Sequence, residues 1–116
     1  MLKTIIFSAL ALGAATGAAG TVNSFVVTDE ERMARDEERN IIVEPIGGFE
    51  NRFWFDYRNN VGEARKELAN DLRGAGDSED LREVWDEYRH ELSHERAHYV
   101  REMAERGVRR GIVTVG

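Results

Sequence analysis

ENRFWFDYRNNVGEARKELANDLRGAGDSEDLREVWDEYRHELSHERAHYVREMAERG, residues 50–107, is the stretch whose reading decides the fold. In its first half Trp54, Tyr57, Val61, Ala64, Leu68 and Leu72 recur in steps of three and four, the signature of a helix with one apolar face. This predicts a helix from about Glu50 to Arg73. Gly74-Ala75-Gly76 ends it, and Asp77 or Ser78 is suited to cap the next, with Glu79 and Asp80 favourable at a positive helix N-terminus. The second half repeats the pattern with Leu81, Trp85, Tyr88, Leu92, Tyr99 and Met103 and predicts a helix from about Glu79 to Arg106, stopped by Gly107. Glu95 and Arg96 interrupt this stripe where another apolar residue is due. A short link between two long amphipathic helices implies an antiparallel αα-hairpin with the stripes facing each other. The fold class is therefore mainly α, with the hairpin occupying residues 49–107.

Outward from the hairpin the pattern weakens. Residues 21–48 read as a charged N-terminal segment, partly extended or disordered. Thr28 can cap a helix through the charged run Asp29 to Arg39, but that run has little to bury, so it is either a solvated helix or disordered. Residues 22–27, 41–43 and 111–115 are β-prone, and 41–43 stand just before Pro45, so a minor β element is expected from them. Residues 108–116 form the β-prone tail, able to pair with 41–43 or to add to a partner's edge.

At the start of the chain, Met1-Leu2-Lys3, the apolar run Thr4 to Leu12 and the small residues Gly13 to Gly20 stand in the order of a secretory signal peptide. Residues 1–20 are read as that leader, with the mature chain starting near Gly20 or Thr21. An uncleaved anchor fits less well, because residues 13–24 are too weakly apolar for the second half of a span. The protein is accordingly expected in the periplasm or secreted, with no stable membrane span after cleavage.

Composition narrows the function classes. The formal charge is −6, and one of the two lysines, Lys3, lies in the leader. Nucleic-acid binding rests on many cationic contacts to phosphate, so an acidic chain with interleaved arginines excludes that partner. There is no cysteine, which removes disulfides and thiol chemistry. A domain this short has a small core, and association with a protein partner or with itself would add buried surface.

Two features point toward sites. The first is His90-Glu91-Leu92-Ser93-His94, which resembles the H-E-x-x-H motif of zincin metallopeptidases. The resemblance covers five residues; carried over, it makes His90 and His94 zinc ligands and Glu91 the general base. The wheel opposes it, because His90 and His94 fall on the face away from the apolar stripe. His98 extends the row, but His90 and His98 lie about 12 Å apart along a straight helix, too far for one ion. The motif is read as coincidental and the chain as no enzyme. A milder reading keeps His90, His94 and His98 as ligands for Zn²⁺, Ni²⁺ or Cu²⁺, completed from elsewhere. Otherwise no cofactor is implied.

The second feature is aromatic density: Phe49, Phe53, Trp54, Phe55 and Tyr57 fall within nine residues. Trp54 and Tyr57 belong to the stripe and are expected to pack against Trp85, Tyr88 and Tyr99. Phe55 points away from it and Phe49 precedes the helix. Either both pack under the N-terminal segment, which a small domain's need for aromatic area favours, or they form an exposed partner-binding patch. In outline the chain is similar to small periplasmic helical-hairpin proteins of the stress-chaperone and metal-sensor kind, although their L-T-x-x-Q motif is missing. The expectation is an exported binding or assembly module without catalysis, or alternatively a metal-binding one.

Overall fold

The computed structural model describes residues 27–109, and the expected leader, the 22–26 part of the first β-prone stretch and the 111–115 tail lie outside them. Three α-helices make up the described chain: α1 (Asp29–Glu38), α2 (Arg52–Gly74) and α3 (Ser78–Glu105), with a single 3₁₀ turn at Ile46–Gly48 between the first two. α2 and α3 form the antiparallel hairpin, and α1 packs along α3. None of these helices is long and apolar enough to cross a membrane.

Each helix starts where a short polar side chain closes an open backbone N–H. Thr28 Oγ1 accepts from the Glu31 N–H at 3.0 Å, Asn51 Oδ1 from Trp54 at 3.1 Å, and Asp77 Oδ1 from Asp80 at 2.8 Å. Caps of this kind are worth about 1 kcal/mol each. α3 ends in a Schellman turn: Gly107, at φ +83°, lets Val108 N–H reach the Met103 carbonyl and its own N–H reach that of Ala104, both at 2.9 Å. The turn folds Val108 back against the core.

The core is aromatic. Tyr57 and Tyr99 stack at 4.9 Å, with Trp54 5.8 Å from Tyr99. Trp85 and Tyr88 make a separate pair lower on α3, 6.1 Å apart. The expected packing of Trp54 and Tyr57 thus falls on Tyr99, while Trp85 lies under α1, where the Arg35 guanidinium sits 4.6 Å from its ring.

The charged run is neither disordered nor simply solvated. Ala34, fully buried, gives α1 a contact face, and three of its carboxylates, Glu30, Glu37 and Glu38, face α3. Glu37 accepts from Arg96 Nε at 3.0 Å and Nη2 at 2.6 Å, Glu38 accepts from the Tyr88 hydroxyl at 2.6 Å, and Glu30 faces Arg82 at 4.0 Å. Glu30, at the start of α1, faces Arg82 early in α3, and Glu37 and Glu38, at its end, face Arg96 and Tyr88 further along, so α1 runs parallel to α3. The polar break in the α3 stripe now has a purpose: Arg96 ties down α1, and Glu95 accepts from Asn60 of α2 at 2.9 Å.

Residues 41–43 are extended but form no strand among the described residues. Their connector is held by buried phenols instead. Ile42 N–H donates to the Tyr57 hydroxyl at 2.9 Å and Ile46 N–H to that of Tyr99 at 3.0 Å. Two side-chain acceptors replace the ladder that β-pairing would have supplied. At Gly47, φ is +67° and a Cβ would come within 2.7 Å of Val108, so the connector can close over the end of α3 only with glycine there.

Candidate functional site

The histidine row starts on the outer face of α3 at His90 and turns toward α2, where His98 lines an open groove with Arg52, Asp56 and Glu102; all three imidazoles are exposed. His90 Nδ1 is 3.0 Å from the Asp86 carbonyl oxygen and 3.4 Å from its carboxylate, so its Nε2 faces solvent. His98 Nδ1 stands 3.2 Å from Arg101 Nη2, and its Nε2 is 4.0 Å from Glu102. Among the described residues no three of histidine, cysteine, aspartate and glutamate converge on a point that could hold a metal. Glu91, the general base of the zincin resemblance, lines a narrow cleft with Glu67, Asp71 and Glu87 on the side toward α2. Any ion bound by a histidine pair would need further ligands from another molecule, since a tetrahedral zinc site takes four.

The aromatic end of the hairpin differs. Phe49 is 55% exposed and Phe55 44%, and Val43 on the connector is 79% exposed. Neither phenylalanine packs under the N-terminal segment. That space is filled by Ile42 and Ile46, hooked by the two tyrosines, which leaves Phe49 outside the 3₁₀ turn and Phe55 on the outer side of α2. Phe53 is half-buried between two guanidinium groups, Arg106 at 4.0 Å and Arg52 at 4.9 Å. Between connector and α2 runs an open groove of about 300 Å³, with Val43 and Ile41 on one wall and Trp54, Arg58 and Gly62 on the other. Phe55 stands three and seven residues before Arg58 and Gly62, hence on the same side of the helix. Exposed apolar side chains beside an apolar-walled groove are the character of a binding surface.

Sequence reasoning did not find the groove, because its near wall is the connector, whose path depends on the Tyr57 and Tyr99 hydroxyls. A signal was present nonetheless: tyrosine rather than phenylalanine at buried stripe positions implies a hydrogen-bond partner for each hydroxyl.

Among the described residues burial raises the Tyr99 phenol, and the Tyr88 phenol is strongly perturbed. Burial raises the Tyr88 phenol well above its ordinary value near 10, and the Glu38 carboxylate adds to this by accepting its hydrogen bond and by its charge, while Arg65 acts the other way. A phenol whose pKa rises on folding stabilises the fold fully below the unfolded value and loses that contribution as pH climbs through the folded value. The melting temperature is therefore expected to fall progressively above about pH 10. Thermal melts of the unmodified protein and Tyr88→Phe check this: the two should converge as pH rises, and a constant difference would contradict the assignment.

No family model, curated protein or solved structure matches this chain. The described residues form a three-helix unit with an exposed aromatic end.

Proposed function

We propose that the protein is a small exported binding module, without catalysis of its own, that presents the Val43, Phe49 and Phe55 surface to a protein partner. The observation that carries this reading is the exposure of both phenylalanines in a domain whose core is small and aromatic. Burying a phenylalanine side chain is worth about 1.5–3 kcal/mol, so a short chain that leaves two of them in water forgoes stability it needs. Occupation by a partner recovers that free energy in the complex. Export rests on the order of basic, apolar and small residues in 1–20 and places the module in the periplasm or outside the cell.

The test separates folding from binding. In Phe49→Ser/Phe55→Ser each ring is about half exposed, at 55% and 44%, so the unfolding free energy should fall by no more than about 1.5 kcal/mol per site. A complex formed in the producing cell should be lost, seen as a shift of the protein to monomer size in gel filtration of the cell extract. A variant that melts far below the unmodified protein would show that these rings belong to the core. A stable variant with an unchanged elution profile would remove the proposed surface.

A further inference from the structure

The charges of α2 are segregated by face. At about 100° per residue, Arg58, Arg65, Lys66 and Arg73 fall in one sector of the helix; Arg58, Lys66 and Arg73 turn away from α3, whereas Arg65, at the edge of the sector, reaches the Tyr88 hydroxyl. No carboxylate shares that sector, although the chain as a whole is acidic. All four side chains are exposed. The Arg58 guanidinium lies 5.7 Å from the Trp54 ring, Arg73 bonds to Asn70, and Lys66 reaches Glu63 at 3.9 Å between two freely exposed groups. Exposed pairs of that sort contribute little, so the stripe keeps its positive charge.

The opposite sign gathers on the other side of the hairpin at its closed end. Glu67 and Asp71 of α2 join Glu83, Glu87 and Glu91 of α3 around two adjoining shallow clefts. Glu83, Glu87 and Glu91 stand four residues apart, where like charges repel along a helix. Within one molecule this patch and the stripe lie on opposite sides of α2 and cannot neutralise each other.

We infer that the acidic closed-end patch of one copy docks on the cationic α2 stripe of a second copy, head to tail. The two surfaces match in sign and in scale. Lys66 and Arg73 are about 10 Å apart along α2, and Glu83 and Glu91 about 12 Å along α3. The floor of the stripe is smooth: Gly62 and Ala69 lie between its flanking cations, and a Cβ built on Gly62 meets nothing within 4 Å. No packing inside the molecule calls for glycine there, although one in mid-helix costs about 0.5–1 kcal/mol; close approach by a second chain gives it a use. Because the patches face opposite ways, the contact is heterologous and extends into open oligomers instead of closing as a two-fold dimer. The inference rests on the reading of the chain as a binding module; its stripe adjoins that surface, because Phe55 and the groove wall at Arg58 and Gly62 lie in the same sector of α2, but it does not use Val43 or Phe49.

Sedimentation velocity on the protein as produced, from micromolar to millimolar concentration at low and at high salt, tests it. At low salt the average mass should rise with concentration without levelling at a dimer, and high salt should suppress the rise. Lys66→Glu/Arg73→Glu and Glu83→Lys/Glu87→Lys should each weaken association by at least about tenfold, and combining all four substitutions in one chain should restore it. Far-UV circular dichroism confirms that each variant is folded. A monomer at millimolar concentration and low salt overturns the inference, as does association that survives both charge reversals. Association that survives both reversals but is lost in Val43→Ser/Phe49→Ser overturns the stripe while leaving the proposed function standing. Association lost on reversal and retained in Val43→Ser/Phe49→Ser supports the stripe alone.

Discussion

Tyr99→Ala is expected to lower the unfolding free energy by about 4 kcal/mol, in the range seen when a large buried ring is truncated. A domain of this length is stabilised by roughly 4–12 kcal/mol, so the variant should lose between about a third and all of its stability. Three losses coincide at this residue. The ring, 1% exposed, leaves a cavity between Tyr57 and Trp54. The hydroxyl that accepts from Ile46 N–H disappears, stranding a buried donor. The connector then loses its anchor on α3 at Ile46, while Tyr57 still holds the Ile41–Val43 wall of the groove. Tyr99→Phe separates these terms: it keeps the stack and removes only the acceptor, so about 1–3 kcal/mol is expected. Urea unfolding followed by circular dichroism measures both. Equal effects of the two substitutions would show that the stack contributes nothing, and a negligible effect of Tyr99→Phe would show that the connector is held by other means.

Ala34→Arg is expected to release α1 while leaving the hairpin folded. Ala34 is fully buried against α3, and no side chain of arginine size fits there without displacing the helix. A ten-residue helix does not persist in water without tertiary contacts, so α1 should unfold once displaced. The Glu37–Arg96 and Glu38–Tyr88 bonds would be broken with it. Trp85, which α1 and Arg35 cover, should become solvated, and its emission should shift to the red. Hydrogen exchange should report lost protection in residues 29–38 and retained protection in α2 and α3. Cooperative loss of protection in all three helices would mean that α1 is an integral part of the core.

The hairpin was legible because its information is local and periodic. The stripe positions Trp54, Tyr57, Val61 and Ala64 on α2 and Trp85, Tyr88, Leu92, Tyr99 and Met103 on α3 are the buried residues of those helices. Their ends, set by Asn51, Asp77 and Gly107, fall within two residues of the expected boundaries. The third helix was half legible. Thr28 announced its start, but its charged sequence hides a single buried residue, Ala34, and its docking depends on Arg96 and Tyr88, fifty or more residues away along the chain. The same long-range dependence explains residues 41–43. Within them the Ile42 N–H is met by the Tyr57 hydroxyl, as the Ile46 N–H is by that of Tyr99 further on, an arrangement with no periodic signature.

The candidate site was less legible than the fold. Phe49 and Phe55 stood out as off-stripe aromatics, but the choice between packing and exposure turned on whether the connector had other side chains to bury. Ile42 and Ile46 fill that role, and the rings remain outside. The segregation of arginines on α2 was readable in principle, since it needs only the helical period. Counting arginines along the whole chain, where they alternate with acids, conceals it.

The most direct test of the central claim, that the aromatic end is the working surface, is site-specific photo-cross-linking in the producing cell. A photoreactive residue is placed at Phe55 in one strain and at His94 in another, since His94 is equally solvent-facing but lies on the outer face of α3. The account predicts a discrete cross-linked species from position 55 and none from position 94. Cross-links from position 94 with none from position 55 would contradict it and move the binding surface to the histidine row.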